Sequence, residues 1–214
     1  MDIREQENQL FAALRENHPS VVIDGVVSEK AYRECSCKIL YVLKEVNGGQ
    51  GWDLRDYLYQ GGRPQTWDNI ARWTEAILNL DQHFQWQYMM ENTRQRREQY
   101  LKKIAVLNLK KEPGSHTANQ QEVALSAVRN STLIQNQVAL YEPDMIICCG
   151  TASDFCGICY PHTEFNWKMT SRGIWYLQKG SKLLIAYSHP AARISDCILH
   201  YALVDAVREI LSRK

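Results

Sequence analysis

Three short apolar runs, each followed by a turn sequence, constrain the fold of this chain more than any other feature. The first covers residues 39–43, and the other two lie within segments 102–114 and 143–150. Each run is followed by glycine or by Pro-Gly, which is typical of a short buried strand. Segments with helical patterns separate the runs. Because strand and helix alternate, we predict an α/β fold with a parallel or mainly parallel sheet.

The remaining segments complete this alternation. We predict that segment 173–190 forms two strands joined by a Lys-Gly turn. Helical spacing predicts helices over 5–17, 51–60, 66–80, 82–100 and 119–141, and a closing helix from about residue 195. Thr66 is the predicted cap of the 66–80 helix. The length suits one domain over residues 1–214.

Composition indicates a cytoplasmic protein without a strong electrostatic field. The formal charge is +1, which argues against tight, salt-driven binding of nucleic acid, although a local basic stripe could still bind DNA. Arginines 94, 96 and 97 are predicted to form a solvated helix face, with phosphate contact as the alternative. No apolar stretch is long enough to span a bilayer, so no membrane partner is expected. The seven cysteines suit a reducing compartment.

Polar residues occur at the ends of several predicted strands. Glu45 and Asn47 follow the first strand, Asn108 lies late in the second, Gly150 ends the third, and His189 follows the last. Ligands of open parallel sheets bind beyond the carboxyl ends of the strands. We therefore expect a carboxylate, two amides and an imidazole to meet at one edge of the sheet.

These motifs resemble those of the uracil-DNA glycosylase superfamily. The similarity rests on the segment 45–48 (Glu-Val-Asn-Gly) after a strand, Asn108 in VLNLKKEP, MIICCGTAS after a long helix, and the pair His189-Pro190. GGRPQTW (61–67) is similar to a stretch that some members place after the first motif. The resemblance covers roughly residues 38–195. It implies a three-layer α/β/α sandwich and a DNA glycosylase acting in base-excision repair, with DNA as its partner.

The chain departs from the family pattern at three places. Lys44 stands where the familiar first motif has glycine, and Ala191 replaces a small polar residue after His-Pro. Asn108 is followed by Leu-Lys-Lys rather than by a cluster-binding cysteine. No iron–sulfur cluster, other metal or cofactor is therefore expected. These departures affect the expected preference for uracil more than they affect the expected fold.

The resemblance assigns catalytic roles to three residues. Cleavage of the N-glycosidic bond develops positive charge on the sugar and negative charge on the departing base. His189 would donate a hydrogen bond to the base carbonyl and stabilise that anion. Glu45 would stabilise the sugar cation or orient water, with Asn47 as the alternative water-holding group.

Four further residues would bind the substrate. Asn108 can both donate and accept hydrogen bonds, which suits reading a pyrimidine edge. Gly48 lies in the turn beside Asn47, and Trp67 is the preferred aromatic platform for a flipped base, with Trp52 and Tyr57 as other candidates. Arg193 would contact phosphate or fill the vacated stack.

Each of these assignments has a structural alternative. Glu45 is alternatively a surface carboxylate paired with a lysine, Asn108 an amide bonded to loop backbone, His189 a buried structural histidine and Trp67 a core residue. The Cys-x-x-Cys sequence at 156–159 permits a redox pair, and His116 is expected in a solvated loop, with substrate contact as a minor alternative. At the level of the whole protein, the alternatives are a non-catalytic nucleotide- or nucleic-acid-binding module, a hydrolase of a small metabolite and, more distantly, a protein with only an interaction role.

Overall fold

A six-stranded sheet forms the centre of the molecule. The computed structural model describes residues 2–115, 117–161 and 163–212. The strands follow the order β2-β1-β3-β6-β5-β4, in which β2, β1, β3 and β6 are parallel and β5 is antiparallel to both of its neighbours, β6 and β4. Their bounds are Ile39–Leu43 (β1), Ile104–Asn108 (β2), Met145–Cys149 (β3), Lys168–Met169 (β4), Trp175–Lys179 (β5) and Lys182–Tyr187 (β6).

Helices pack against both faces of this sheet. Tyr41 of β1 belongs to an apolar cluster with helices that lie between β1 and β2 and with the last helix, whereas its neighbour Val42 belongs to a cluster with the first two helices and those between β2 and β4. The predicted α/β class with a mainly parallel sheet is thus confirmed. The helices are Ile3–Asn17 (α1), Glu29–Arg33 (α2), Leu54–Tyr59 (α3), Pro64–Leu78 (α4), Trp86–Met90 (α5), Thr93–Tyr100 (α6), Gln120–Arg129 (α7), Ser131–Tyr141 (α8), Ala152–Cys159 (α9) and Asp196–Ser212 (α10). Within the described ranges, none of them combines the length and apolar character needed to cross a bilayer.

Two predicted helices are each divided in the structure. Asn92 adopts a left-handed conformation with φ 49° and separates α5 from α6. Asn130 ends α7, and its side-chain Nδ2 donates to the carbonyl of Ser126 at 3.0 Å. Asparagine competes for backbone partners in this way, which explains why it interrupts a helical pattern. The predicted Thr66 cap is wrong, because α4 begins at Pro64, a residue suited to the first helical position.

Residues 21–27 form a segment that the sequence patterns did not reveal. This edge segment runs along the free side of β2, where Val27 N donates to Ile104 O at 3.1 Å and Val106 N donates to Gly25 O at 2.9 Å. It thereby covers an edge strand that would otherwise expose backbone groups. It also carries the buried Asp24 to the end of β2.

Candidate functional site

A cavity of about 1040 Å³ opens at the carboxyl ends of the parallel strands. Six of the seven predicted site residues line it, and Arg193 does not. The six are Glu45, Asn47, Gly48, Trp67, Asn108 and His189. The structure therefore brings the predicted carboxylate, amides and imidazole to one concave site, although their chemistry remains a prediction.

Strand register explains why residues so distant in sequence meet. Asn108 is the last residue of β2 and lies opposite Leu43, the last residue of β1. Glu45 follows Leu43 by two residues, and His189 follows Tyr187, the last residue of β6, by two. Parallel strands present their carboxyl ends on the same side of the sheet. The order β2-β1-β3 also places this edge where the chain changes direction across the sheet, which is where such folds form clefts.

Glu45 is held beneath the loop that follows β2. Its side chain is 5% exposed, and Oε2 accepts a hydrogen bond from Lys110 Nζ at 3.0 Å. Oε1 accepts from the backbone N of Ser115 at 3.3 Å, and the carboxylate lies so close to Gly114 that a Cβ there would be 1.9 Å from its carbon. The alternative interpretation was right about a lysine partner and wrong about a surface position.

The acidic neighbours of Lys110 raise its pKa. Burial alone would lower its pKa, but Glu45 and Glu122 accept its hydrogen bonds, and together with their charges they raise its pKa above the ordinary value. Lys110 therefore remains a cation and forms an ion pair with the covered carboxylate of Glu45.

The turn after Glu45 depends on glycine. Gly48 and Gly49 have φ values of 73° and 76°, a region that disfavours other residues. The turn is tied to the neighbouring loop because Gly114 N donates to Val46 O at 2.8 Å. Asn47 is exposed between these anchors, and no described residue forms a hydrogen bond with its side chain. Its amide is consequently available to water or ligand at the cavity wall.

His189 is arranged as a neutral hydrogen-bond donor. Its Nδ1 accepts a hydrogen bond from the backbone N of Ala191 at 3.1 Å. A backbone N–H only donates, so the proton of the neutral ring is assigned to Nε2. Burial, and then the nearby charge of Lys44, lower the pKa of His189 below its ordinary value. The ring is therefore neutral at pH 7 and has one N–H left for the cavity.

Asn108 is 2% exposed at the base of the cavity and is bonded to Asp24. The Asn108 backbone N donates to Asp24 Oδ2 at 2.6 Å, and its side-chain Nδ2 lies 3.3 Å from the same oxygen. The predicted alternative of a loop partner is thus correct in location, but the acceptor is a carboxylate and not the backbone. Sequence reasoning missed Asp24. The only signal was a charged residue placed directly after the apolar residues 21–23.

Three aromatic side chains contribute to the cavity wall. Trp67 is 6% exposed in α4 and belongs to the core as well as to the wall, so the two interpretations of this residue are compatible. Trp52 and Tyr57 meet edge-to-face with ring centroids 5.4 Å apart. Together they provide flat apolar surfaces of the kind on which a planar ring stacks.

Some cationic side chains at or near the cavity are unpaired, whereas others are buried in ion pairs. Lys44 and the exposed Arg63 line the cavity, and neither side chain has a hydrogen-bond or ion-pair partner within the described part of the chain. Arg193 is exposed in the loop after His189 and is likewise unpaired with any described residue. The predicted solvated face of α6 is largely wrong, because Arg96 and Arg97 are buried in ion pairs with acidic residues of α4.

The two cysteines of the Cys-x-x-Cys sequence do not line the cavity. Cys156 and Cys159 lie in the second half of α9, and burial raises their pKa values to about 11 and about 12, so both thiols stay protonated at neutral pH. Residues 2–115, 117–161 and 163–212 include no group of three or more acidic, histidine or cysteine side chains arranged to hold a metal ion. His116 lies outside the described residues.

The chain matches no protein-family model and no curated protein sequence. Its chemistry is therefore inferred from the cavity itself.

Proposed function

We propose that this chain is a DNA glycosylase of the uracil-DNA glycosylase type, which hydrolyses the N-glycosidic bond of a deaminated or damaged, uracil-like base flipped out of DNA. One observation carries the proposal: His189, Asn108 and Glu45, delivered by three different strands, line one cavity that also has Trp67 in its wall. Hydrogen-bonding groups beside an aromatic surface are what an extruded base requires.

His189 supplies the group that stabilises the departing base. Negative charge grows on the base carbonyl oxygen as the glycosidic bond breaks. A donor fixed before the reaction stabilises this charge without reorganisation. The backbone N–H of Ala191 holds the ring with Nε2–H free, which supports this role.

Glu45 and Asn47 have different roles at the sugar: Glu45 stabilises positive charge and Asn47 positions water. The carboxylate of Glu45 provides a fixed negative charge that would stabilise an oxocarbenium-like sugar. Its oxygens already accept hydrogen bonds from Lys110 and Ser115, so we assign the positioning of water to the exposed amide of Asn47.

Three cations support nucleic acid as the partner. Lys44 and Arg63 at the cavity, and Arg193 on the nearby loop, have no acidic partner among the described residues. Such cations are suited to contacts with the phosphates on either side of an extruded nucleotide.

A non-catalytic nucleic-acid-binding module is the second candidate. The observation in its favour is the covering of Glu45, whose side chain is only 5% exposed and pairs with Lys110. If this carboxylate never faces the substrate, the cavity would bind a base without releasing it.

Oligonucleotides containing uracil, hypoxanthine, xanthine or mismatches distinguish the two. Abasic product is measured for the wild type, His189→Ala and Glu45→Gln. Matched controls are His83→Ala, an exposed histidine, and Glu122→Gln, which removes the other acidic partner of Lys110. On at least one substrate we expect a loss of about 10²- to 10³-fold in the two site variants and little change in the controls.

Each other outcome contradicts the glycosylase proposal. Equal product from all five proteins would identify a contaminating activity. Binding of the oligonucleotides without abasic product would favour the binding module. Neither binding nor cleavage would favour hydrolysis of a small metabolite.

A further inference from the structure

We propose that Asp24 is a positioning residue that fixes the orientation of the Asn108 amide and so selects ligands whose ring nitrogen carries a hydrogen. The inference rests on the proposed function in one respect, namely that the ligand of the cavity is a base. It adds a residue that lies outside the cavity wall and that fixes the orientation of the Asn108 amide.

Asp24 is fully buried and surrounded by hydrogen-bond donors. Its Oδ2 accepts from the backbone N of Asn108 at 2.6 Å, and its two oxygens accept from Lys111 Nζ at 2.9 and 3.0 Å. Gln137 Nε2 donates to Oδ1 at 2.8 Å. Because every one of these partners is a donor, the carboxylate acts only as an acceptor in this arrangement.

This environment determines which end of the Asn108 amide faces Asp24. The Nδ2 group lies 3.3 Å from Asp24 Oδ2. A 180° rotation of the amide would instead place Oδ1 against a carboxylate oxygen, and two acceptors would repel each other without water to separate them. Asp24 thus discriminates between two amide orientations that have nearly the same shape.

The fixed orientation leaves an acceptor for the ligand. No described residue donates a hydrogen bond to Asn108 Oδ1, while Asn108 lines the cavity. His189 offers the complementary group, a donor at Nε2. A ring that presents a carbonyl to His189 and an N–H to Asn108 satisfies both, which describes a cyclic imide or lactam. A ring nitrogen with a lone pair, as in cytosine, would meet Oδ1 acceptor to acceptor.

A buried network keeps Asp24 in place. Lys111 and Gln137 are 1% and 0% exposed, and Lys111 Nζ also donates to Gln137 Oε1 at 2.7 Å. Gln137 Nε2 further donates to Tyr141 Oη at 2.8 Å. The Asp24 carboxylate therefore has little freedom to move with a rotating Asn108 amide. The preference for one amide orientation is thus maintained when a ligand binds.

The test compares binding of deoxyuridine and deoxycytidine, measured through tryptophan fluorescence. The variant Asp24→Asn/Lys111→Met removes both buried charges together, which avoids leaving an unpaired lysine. Arg94→Met is the control, because it breaks an exposed ion pair within α6, barely changes stability and leaves Asp24 untouched. We expect the wild type and the control to prefer deoxyuridine by about 10-fold or more, and the double variant to lose most of that preference.

A measurement without ligand keeps the inference independent of the proposed function. In ¹⁵N-asparagine-labelled protein, the Asn108 side-chain resonance is identified by its loss in Asn108→Ala. We expect its amide protons to exchange slowly in the wild type and in Arg94→Met, and faster in the double variant. If the wild type binds neither nucleoside, the oligonucleotide assay still decides the proposed function, and this exchange measurement alone decides the role of Asp24.

Two results would overturn the inference. One is a folded double variant with an unchanged preference for deoxyuridine. The other is an Asn108 amide that exchanges equally fast with and without Asp24. If the double variant does not fold, an unprotected Asn108 amide in the wild type gives the same negative answer.

Discussion

At the scale of single residues, a neighbour in sequence and a neighbour in space together set the chemistry of His189. Its Nδ1 is occupied by a backbone N–H two residues along the chain, while Lys44 approaches from the end of another strand. Both partners favour the neutral ring, the first by using its acceptor and the second by charge repulsion. The lysine directly before Glu45 thus has an electrostatic consequence at the end of a different strand.

Removal of the Lys44 charge should raise the pKa of His189. A nearby cation disfavours imidazolium, so the Lys44→Met ring should protonate at higher pH than the wild-type ring, while burial still keeps its pKa lowered. NMR titration of the histidine ring protons measures this shift. Lys168→Met, on the exposed short strand β4, is the control and should leave the titration unchanged. An identical His189 titration in all three proteins would mean that Lys44 does not act on the ring.

Sequence patterns predicted the cavity residues but not the residue behind them. Glu45, Asn108 and His189 could be found because each follows or ends a strand that its apolar run makes visible. Asp24 could not, since the edge segment has only a brief apolar run and is placed by long-range hydrogen bonds to β2. A local sequence pattern does not reveal that residues 21–27 pair with β2.

At the scale of elements, the packing of α6 on α4 depends on charged side chains in the interior. Arg96 Nε donates to Glu75 Oε2 at 2.5 Å, and Arg96 also donates to the backbone carbonyls of Met89 and Glu91. The helix has almost no apolar residues, which is why its sequence predicted a solvated face. The segment is nevertheless packed, because the arginines satisfy carbonyls that the short helix α5 leaves free.

Arg96→Met should destabilise the fold strongly, whereas Arg94→Met should not. Loss of one partner leaves Glu75 buried without its counter-charge, which costs about 3–5 kcal/mol of unfolding free energy. Arg94 is 85% exposed and pairs with Glu98 one turn away, so its removal should cost about 0.5 kcal/mol or less. Urea unfolding of the three proteins measures the difference. Equal midpoints for the two variants would contradict a structural role for Arg96.

The element boundaries show where sequence reasoning succeeds. The three central apolar runs correspond to β1, β2 and β3, because a strand buried on both faces needs an unbroken apolar run. The predicted helices over 82–100 and 119–141 were too long, since Asn92 and Asn130 interrupt them through backbone conformation and side-chain bonds that periodicity ignores. The two-residue strand β4 is too short to have a pattern.

At the scale of the whole molecule, a buried histidine links stability to pH. His200 in α10 is 1% exposed, and its Nδ1 has no hydrogen-bond partner among the described residues. Burial, followed by the charges of Arg72, Arg208 and Arg96, lowers the pKa of His200 to about 4. The folded protein therefore binds this proton less readily than the unfolded chain, whose histidine has its ordinary pKa near 6.5.

Acid should consequently destabilise the wild type through His200. The sign follows from the lowered pKa: stability is complete above about pH 6.5 and is lost progressively as the pH falls toward 4, by about 3 kcal/mol. Urea unfolding at pH 7 and pH 4 measures this loss. His200→Leu should lose correspondingly less between the two values, and the exposed-site control His83→Leu should behave as the wild type does. Parallel losses in all three proteins would assign the acid sensitivity to other groups.

The short distance from strand to functional group has a consequence for ligand capture. Asn108 ends β2, and Glu45 and His189 stand only two residues beyond β1 and β6. Groups attached so closely to a rigid sheet have little conformational entropy to lose when a guest arrives. The cavity should therefore have nearly the same shape without a ligand as with one. Rigid, planar compounds should bind it more tightly than flexible compounds of equal size.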